Sequence, residues 1–494
     1  MRTAEKEETM EFDVIICFEV HAELKTRTKL FCGCPNKVDA PPNSSTCPVC
    51  TGQPGALPVL NKRAVEFCIR AGLALNCEVN ELSRFARKNY FYPDLPKGYQ
   101  ISQYEMPFCE NGHLAILGAD GREHRVGIRR VHLEEDAGKL VHSSESMDEA
   151  GYSLVDYNRS SVPLIEIVAD HTKDPLTSVA DARTYLEKMR QVLRYAGVSD
   201  CGMEKGQFRC DVNVSLRPKG TLEFGDRAEV KNMSSFRFVT EALEYEIQRQ
   251  SDLLRSGNPV LQETRLFDEQ RKVTLPMRSK EDAPDYRYFP DPDLVEVQID
   301  PEVVSRLRES MPELPDDRST RLVRDHALPL QEALLLTRDR AVSDFFDRCA
   351  VSSRDVTRLS RWIIKDLFKL LKESSLEMDA CPFGPEAFAA LINSVSSGEI
   401  TEQAGRTVLE EMFKAGRDPG DIIEEKGLRS IRDDQALESV VSEVLSENPG
   451  VVDKIKSGHP EPVNFLVGQV MKKTAGRADA GRVRELLLKK LEIE

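Results

Sequence analysis

Alternating apolar and polar residues dominate the first 300 residues of the chain. The clearest stretch is Arg209–Leu216, in which Cys210, Val212, Val214 and Leu216 are predicted to face a core. Three longer stretches have the periodicity of amphipathic helices instead. Because predicted helices and strands do not alternate regularly, we expect an α+β fold with a mainly antiparallel sheet, not a doubly wound one.

The three helices are bounded by capping residues. They are predicted to run from Asn61 to Asn76, from Asp174 to Gly197, and from Ser234 or Ser235 to Gly257. Asn61 and Asp174 are the expected N-caps of the first two, and Pro175 fits the first turn of the second. Glycine can end the second helix in a left-handed conformation.

Beyond residue 300 the pattern becomes helical, so we expect a first domain over residues 1–300. Amphipathic helices are predicted at Pro301–Met311, Pro329–Thr337, Ala341–Cys349, Arg354–Lys372, Pro385–Ser397 and within Gln435–Glu494. Proline-containing segments at Pro312–Asp317 and Cys381–Gly384 are predicted to break the helical run.

Composition narrows the classes of protein. The net charge of −15 over 494 residues excludes a uniformly basic nucleic-acid-binding surface, although local basic patches remain possible. No apolar run is long enough to span a membrane, and the glutamate-rich N-terminus has no apolar signal region. We therefore expect a cytoplasmic protein whose scattered cysteines are reduced.

Four cysteines are spaced as a metal site. Cys32 and Cys34 precede a loop rich in proline, asparagine and serine, and Cys47 and Cys50 follow it. Two close thiol pairs of this kind predict a tetrahedral Zn²⁺ site, and four thiolates leave no open position for catalysis. We expect a structural zinc that braces the loop over residues 30–52; the alternative is four reduced thiols without metal.

Several predicted strands each carry a carboxylate on a polar face. The residues concerned are Glu19 with His21, His132 with Glu134, Asp211 with Asn213, Glu229 with Lys231, and Glu166 between two isoleucines. Carboxylates gathered on one face repel each other unless a cation joins them, and oxygen ligands favour Mg²⁺. Histidine is a softer ligand, so Mn²⁺ is a possible substitute. The alternative is a solvated face whose acids pair with lysine and arginine.

Two segments interleave aromatic and basic residues, Arg87–Gln100 and Met277–Pro290. Lys88 in the first, and Arg278, Lys280 and Arg287 in the second, are candidate phosphate ligands. Equally, the first can be a packed loop and the second can pair with neighbouring acids. The sequence has no Walker A motif and no glycine-rich dinucleotide fingerprint, so any ATP site must be of an unusual kind. It also has no recognisable signature of a cysteine or serine nucleophile, which argues against a self-sufficient glutaminase.

Taken together, the motifs resemble the B subunit of the tRNA-dependent amidotransferase over nearly the whole chain. The matching strings are Glu19–His21, Cys47–Cys50 with Pro54-Gly55, Arg87–Asp94, Glu134–Lys139, Pro163–Val168, Arg209–Val214, Lys231-Asn232, Glu263–Arg265, Asp285–Pro290 and Phe465–Met471. The resemblance implies a cradle-like N-terminal sheet domain, a helical domain (301–415) and a small YqeY-like tail domain (416–494) that holds tRNA.

The resemblance also implies a reaction. In that family the B subunit uses ATP and Mg²⁺ to phosphorylate the side-chain carboxylate of Glu-tRNA(Gln) or Asp-tRNA(Asn). Ammonia, supplied from glutamine by an A subunit, then displaces phosphate, and a C subunit holds the pair together. The enzyme is a carbon–nitrogen ligase with glutamine as amido donor. Sequence does not choose between the two tRNAs. A non-catalytic, zinc-braced RNA-binding scaffold is the competing hypothesis, whereas the archaeal Glu-specific relative is disfavoured because its extra insertion has no counterpart.

Carried over to this chain, the resemblance assigns the metal to Glu19, His21 and Glu135. Further catalytic members are Glu134, Asp211 and Glu229, with Lys231 and Arg209 as phosphate contacts. The candidate tRNA ligands in the tail are Lys472, Lys473, Arg477, Arg482 and Arg484. The chain departs from the family pattern at Cys17, Phe18, Ser161 and the tail motif Gly476–Ala480.

Overall fold

The computed structural model describes residues 11–142, 151–221, 223–279, 286–431, 434–456, 462–474 and 476–491. It divides into two compact units, one extending to Leu314 and the other beginning at Pro315. The first unit combines helices with a large sheet, and the second is helical in its described residues. The α+β class is therefore confirmed, while the division into three domains stays a prediction.

Most strands of the first unit form one large sheet. The strands are β1 (Phe12–Glu23), β2 (Glu78–Val79), β3 (Leu82–Ser83), β4 (Ala86–Asn89), β5 (Tyr99–Ser102), β6 (Cys109–Leu117), β7 (Glu123–Glu135), β8 (Lys139–His142), β9 (Ser153–Asp156), β10 (Pro163–Ala169), β11 (Phe208–Pro218), β12 (Arg227–Lys231), β13 (Glu263–Asp268), β14 (Val273–Ser279), β15 (Phe289–Pro290) and β16 (Val297–Gln298). Among the described residues nine strands pair in the order β14-β13-β12-β11-β1-β10-β7-β6-β2. All pairs are antiparallel except β12 with β13.

The two faces of this sheet differ completely in chemistry. On β1, Ile16, Phe18, Val20 and Ala22 are buried in the hydrophobic core. Three helices contribute to that core: α1 (Lys62–Ala74), α2 (Val179–Ala196) and α3 (Phe236–Arg255). Because side chains alternate along a strand, the residues between these apolar positions lie on the opposite face.

Capping residues explain where the helices begin. Asn61 accepts from the N–H groups of Arg63 and Ala64, and Ser235 accepts from that of Phe238, as predicted. The prediction for α2 was wrong by one turn, since its N-cap is Ser178 and not Asp174. The residues before Ser178 are bound to the sheet instead, because the Leu176 carbonyl accepts from the N–H of Ile16 at 2.8 Å.

Helices continue across the second unit. Helix α4 (Pro301–Glu309) still belongs to the first core through Leu307, and it is followed by α5 (Pro315–His326), α6 (Leu330–Leu336), α7 (Arg340–Ser352), α8 (Val356–Trp362), α9 (Phe368–Glu373), α10 (Pro385–Ser396), α11 (Glu402–Ala415), α12 (Pro419–Glu425), α13 (Asp434–Glu447), α14 (Pro449–Lys456), α15 (Val463–Lys473) and α16 (Ala480–Leu491). A π-helical turn, Ile363–Leu367, joins α8 to α9 within the predicted helix at 354–372.

One segment that was predicted to interrupt the helices contains the start of a helix. Helix α5 begins at Pro315, inside the segment Pro312–Asp317, because proline fits the first turn of a helix as well as it ends one. The apolar residues of this unit form two clusters, one around Trp362 and Phe388 and one around Leu466 and Leu487. None of the described helices is both long and apolar enough to cross a bilayer.

The contact between Phe18 of β1 and Tyr185 of α2 holds a helix against the centre of the sheet. Both rings are fully buried and stack with centroids 5.7 Å apart. We expect Phe18→Ala to destabilise the first unit by about 3–5 kcal/mol, because it removes this packing and leaves a cavity. Urea unfolding followed by circular dichroism measures the loss.

Phe91→Ala is the matched control, since Phe91 is 82 % exposed. It should leave the unfolding midpoint close to that of the unsubstituted chain, and equal effects of the two changes would contradict the proposed packing.

Candidate active site

A cavity of about 540 Å³ opens on the polar face of the large sheet. Its floor is built from one side chain or pair of side chains on each of several neighbouring strands: Glu19 and His21 (β1), Glu166 (β10), Asp211 (β11), and Glu229 with Lys231 (β12). The strand register sets these residues side by side, since His21 lies opposite Glu166 and Glu19 lies opposite Asp211. The predicted polar residues of four separate strands therefore meet in one place.

Two carboxylates and a histidine lie close together at this cavity: His21 and Glu166 line it, and the buried Glu134 contacts His21. His21 Nε2 lies 3.5 Å from Glu134 Oε1 and 3.6 Å from Glu166 Oε2. His132 Nε2 approaches the same Glu166 oxygen at 3.2 Å. Burial lowers the pKa of His21, but the hydrogen bond to Glu166 and the charges of Glu166 and Glu134 outweigh it and raise that pKa to about 9. The two carboxylates therefore stabilise a positive charge between them.

A second group lies beside it on β11 and β12. The Lys231 ammonium bridges Asp211 and Glu229, and its nitrogen is 2.9 Å from Glu229 Oε1. Glu19 accepts from Asn213 Nδ2 at 3.3 Å. Burial raises the pKa of Glu19, and the charges of Glu166 and Glu229 raise it further. Lys231 therefore offsets only part of the negative charge on this floor.

Glu135 lies on the other face of β7. It shares its face with Val131 and Leu133, and its carboxylate pairs with Lys97 and accepts from the backbone N–H of Ile101 at 2.9 Å. The structure does not bring Glu135 into the cavity with Glu19 and His21. Consecutive residues of a strand face opposite sides, so only one of Glu134 and Glu135 can reach the polar face.

Glu166 and His132 are site residues that the sequence-based assignment left out. Each is a polar residue on a predicted strand, and Glu166 is distinguished by the isoleucines on either side of it. Arg209, proposed as a phosphate contact, instead donates to Asp136 Oδ2 at 3.1 Å and is absent from the cavity lining.

The two aromatic and basic segments meet at one wall of the cavity. Strand β15 pairs with β4, and the Asn89 N–H donates to the Tyr286 carbonyl at 2.9 Å. Lys88 Nζ lies 4.8 Å from the centroid of the Tyr286 ring, and the Tyr104 and Tyr288 rings stack at 4.3 Å. Burial lowers the pKa of Lys88, but the nearby Tyr288, Glu134 and Glu166 raise it more. Lys88 is therefore a half-buried cation that faces the acidic floor.

The other three candidate phosphate ligands are in the second of these segments. Arg278 belongs to β14, opposite Thr264 of β13, and Lys280 lies outside the described residues. Arg287 is exposed and does not line the cavity, although Tyr286 and Tyr288 on either side do.

The four predicted zinc ligands converge. The sulfur atoms of Cys32, Cys34, Cys47 and Cys50 all lie within 4.8 Å of one another, and those of Cys47 and Cys50 are 3.9 Å apart. Two sulfurs bound to one tetrahedral zinc are separated by roughly 3.8 Å, which follows from a Zn–S bond of about 2.3 Å. The residues present fit the ion.

A buried lysine accompanies these thiols. Lys29 is fully buried, and its ammonium lies 3.6 Å from Cys50 Sγ. The hydrogen bond with Cys32 lowers the pKa of Cys50 to about 4, with help from the Cys47 N–H and the charge of Lys29 and against the effect of burial. Lys29 thus compensates part of the negative charge that a set of thiolates carries.

The cysteine loop is bound to the segment that leads into β10. Ser160 Oγ donates to the Cys50 carbonyl at 2.8 Å, and the Leu30 N–H donates to the Ser161 carbonyl at 2.8 Å. Ser161 has a φ of +66°, and its buried hydroxyl has no partner among the described residues. Two of the departures from the family pattern can be placed relative to the cavity. Ser161 does not line it, whereas Cys17 does, and the Cys17 thiol donates to the Ala169 carbonyl at 3.1 Å.

Acidic neighbours neutralise part of the basic tail. Lys473 pairs with Glu443 at 2.7 Å and with Glu447 at 2.6 Å, and Arg482 pairs with Asp434 at 2.8 Å. Arg477 donates to the Thr474 carbonyl at 3.1 Å. Lys472 and Arg484 are exposed and have no hydrogen bond or ion pair with another described residue.

Comparison with known proteins agrees with this arrangement. A family model described as the GatB/GatE catalytic domain matches residues 14–305, and one described as the GatB domain matches residues 344–491. The B subunit of the aspartyl/glutamyl-tRNA(Asn/Gln) amidotransferase from Carboxydothermus hydrogenoformans is 49 % identical over 97 % of this chain and 99 % of the relative. Its counterpart from Moorella thermoacetica has the same identity over 98 % of this chain and 100 % of the relative. The chain therefore belongs to the family of aspartyl/glutamyl-tRNA(Asn/Gln) amidotransferase B subunits.

Proposed function

We propose that this chain is the B subunit of a cytoplasmic amidotransferase that corrects misacylated tRNA. It acts with a glutaminase A subunit and a C subunit on Glu-tRNA(Gln), Asp-tRNA(Asn) or both. The observation that carries the proposal is the convergence of His21, Glu134 and Glu166 at a cavity that Glu19 also lines, in a chain whose match to a relative covers 97 % of its length.

The reaction needs an activated carboxylate. A side-chain carboxylate is a poor electrophile because oxide is a poor leaving group. Attack of a carboxylate oxygen on the γ-phosphorus of ATP breaks the bond to ADP, which leaves, and forms an acyl phosphate. Ammonia then attacks the acyl carbon, the carbon–oxygen bond to phosphate breaks, phosphate leaves, and loss of a proton gives the amide. The chain's task is to hold two anions, the substrate carboxylate and the triphosphate, next to each other.

The acidic floor is suited to a hard divalent cation. His21, Glu134 and Glu166 would hold Mg²⁺ or Mn²⁺, with Glu19 nearby, because two carboxylates and one imidazole supply compatible donors. The bound ion would supply positive charge that offsets the charge of the phosphates. Lys88 and Lys231, both in the cavity lining, would contact phosphate oxygens directly. Asp211 and Glu229 orient Lys231.

Zinc and the tail have supporting roles. A structural zinc on Cys32, Cys34, Cys47 and Cys50 would fix the loop that contacts Ser160 and Ser161, just before β10 brings Glu166 into the cavity. The tail domain would hold tRNA through its exposed cations. This agrees with an acidic chain that binds nucleic acid through local patches.

Substitutions of the neighbours Glu134 and Glu135 should have different effects, one on catalysis and the other on stability. In the complex of all three subunits, we expect Glu134→Gln to lower kcat for ATP-dependent amidation at least a hundredfold, because it removes a carboxylate from the acidic floor. Glu135→Gln should instead destabilise the fold by about 3 kcal/mol, because Lys97 is left as an uncompensated buried charge. Steady-state rates over a Mg²⁺ titration and thermal unfolding measure the two effects.

Glu187→Gln is the control, since Glu187 is exposed on α2 and pairs with Arg183. A Glu135→Gln variant with ordinary stability and an altered Mg²⁺ requirement would return Glu135 to the metal site. Full activity of both Glu134→Gln and Glu166→Gln would contradict the metal site, whereas a complex that shows no ATP hydrolysis dependent on misacylated tRNA would favour the non-catalytic scaffold. Assays with Glu-tRNA(Gln) and Asp-tRNA(Asn) separately identify the substrate.

Metal analysis tests the cysteine cluster. We expect atomic emission to find one zinc per chain, and Cys47→Ser to lose it and to lower the unfolding temperature, because the loop has little apolar material to hold it. Cys381→Ser should retain the metal, since Cys381 does not belong to the group of four converging thiols. A stable chain without zinc at full activity would contradict the structural role.

Salt titration of tRNA binding tests the tail. Replacing both Lys472 and Arg484 by alanine should weaken binding and reduce the slope of log K against log salt by up to about two, because two phosphate contacts are lost. Lys369→Ala, which removes an exposed lysine of α9, is the control. An unchanged slope in the double variant would exclude these two cations as phosphate ligands.

A further inference from the structure

One end of the cavity is basic, in contrast to its acidic floor. Arg129 of β7 and Arg227 of β12 line it, on the two sides of Cys17 of β1, and Arg130 of β7 lines the cavity next to them, level with Glu19 across the sheet. Burial raises the pKa of the Cys17 thiol to about 12 and Glu19 adds to the rise, whereas the charges of Arg227 and Arg129 oppose it. The guanidinium groups of Arg227 and Arg129 therefore both lie close enough to Cys17 to act on its thiol.

A β-bulge brings Arg129 to this wall. Arg130 lies opposite Val168 of β10, but Ile128 lies opposite Ala169, so Arg129 has no partner residue on β10. An extra residue in one strand re-aims the side chains around it, and bulges are frequent beside active sites. Arg129 and Arg130 consequently line the cavity together, although consecutive residues of a regular strand face opposite sides.

These arginines are not neutralised by carboxylates. Arg129 and Arg227 are exposed, and neither has a hydrogen bond or an ion pair with another described residue. Arg130 donates to the Tyr104 carbonyl at 3.0 Å, but its buried Nε has no partner within the described chain. By contrast, Arg87, Arg159 and Arg265 of the same unit all pair with acids.

The distance between Cys17 and His21 along β1 indicates which anion binds at the basic end of the cavity. Cys17 lies about 13 Å along the strand from His21, which belongs to the acidic group proposed to hold the metal. The triphosphate and the substrate carboxylate must both lie near His21 for phosphoryl transfer. The RNA that carries the carboxylate must leave the cavity in another direction, away from the acids that repel its backbone.

We propose that Arg129, Arg130 and Arg227 bind the phosphodiester backbone of the 3′-terminal nucleotides of the tRNA, and so position the aminoacyl group over the acidic floor. Guanidinium groups bind phosphate in a bidentate manner, and such contacts fix the register of a nucleic acid without reading its sequence. The exposure of Arg129 and Arg227 suits a large polyanion that enters from solvent. The assignment rests on the proposed function, since it names the part of that substrate held at this end.

A double-mutant cycle between protein and RNA tests this assignment. In the three-subunit complex, Arg129→Ala and Arg227→Ala should each weaken binding of intact tRNA about tenfold, and reduce the salt slope by about one. With tRNA that lacks its three terminal nucleotides, the same substitutions should change affinity less than twofold, because the contact is already absent. The KM for ATP should stay constant.

The control is Arg125→Ala, which removes an exposed arginine of the same strand that does not line the cavity. Equal losses with intact and truncated tRNA, or no loss beyond that of the control, would overturn the assignment. A rise in the KM for ATP with unchanged tRNA binding would make this end a triphosphate site instead. Because binding needs no turnover, a wild-type complex that binds tRNA without amidating it would refute the proposed function alone.

Discussion

Repulsion between closely spaced carboxylates is the constraint on which the arrangement of this chain depends. The sheet register aligns Glu166, Glu19, Asp211 and Glu229 on neighbouring strands of one cavity floor. Such a floor is stable only when cations accompany it. Lys231 and Lys88 are two of these cations, and a protonated His21 or a divalent ion supplies the charge at the third position. The same excess of negative charge that destabilises the unliganded floor would give it affinity for a divalent cation.

The opposite face of the sheet supplies the stability that this floor lacks. Ile16, Phe18, Val20 and Ala22 alternate with the polar residues of β1 and pack into the helical layer. The apolar burial of one face fixes the register that aligns the acids of the other, because a slip of one residue would exchange the two faces. Stability and chemistry are therefore separated by strand alternation, as the different surroundings of Glu134 and Glu135 illustrate.

The charge of the side chains that line the cavity also changes sign from one end of the cavity to the other. Acids gather around His21, whereas Arg129 and Arg227 line the part of the cavity around Cys17, and Arg130 lines it in the row of Glu19. A tRNA substrate carries a small carboxylate at the tip of a long polyanion. The carboxylate needs a bound cation, which the acidic floor would hold, and the RNA backbone needs basic groups, which the arginines provide. The cysteine loop contacts the segment before β10, so its integrity bears on the position of Glu166.

Much of this was determined by the sequence itself. Period-two alternation predicts which residues of β1, β7, β11 and β12 share a face, cysteine spacing predicts the cluster of four thiols, and the motifs indicate the family. The alternation even separates Glu134 from Glu135, although the resemblance to the family placed both in the site. What alternation cannot supply is the lateral order of the strands, because that order comes from pairing between residues far apart in the chain. Only the tertiary structure brings Glu166 and His132 to His21, places the bulge at Arg129, and starts α2 at Val179, where the Leu176 carbonyl is already bound to β1.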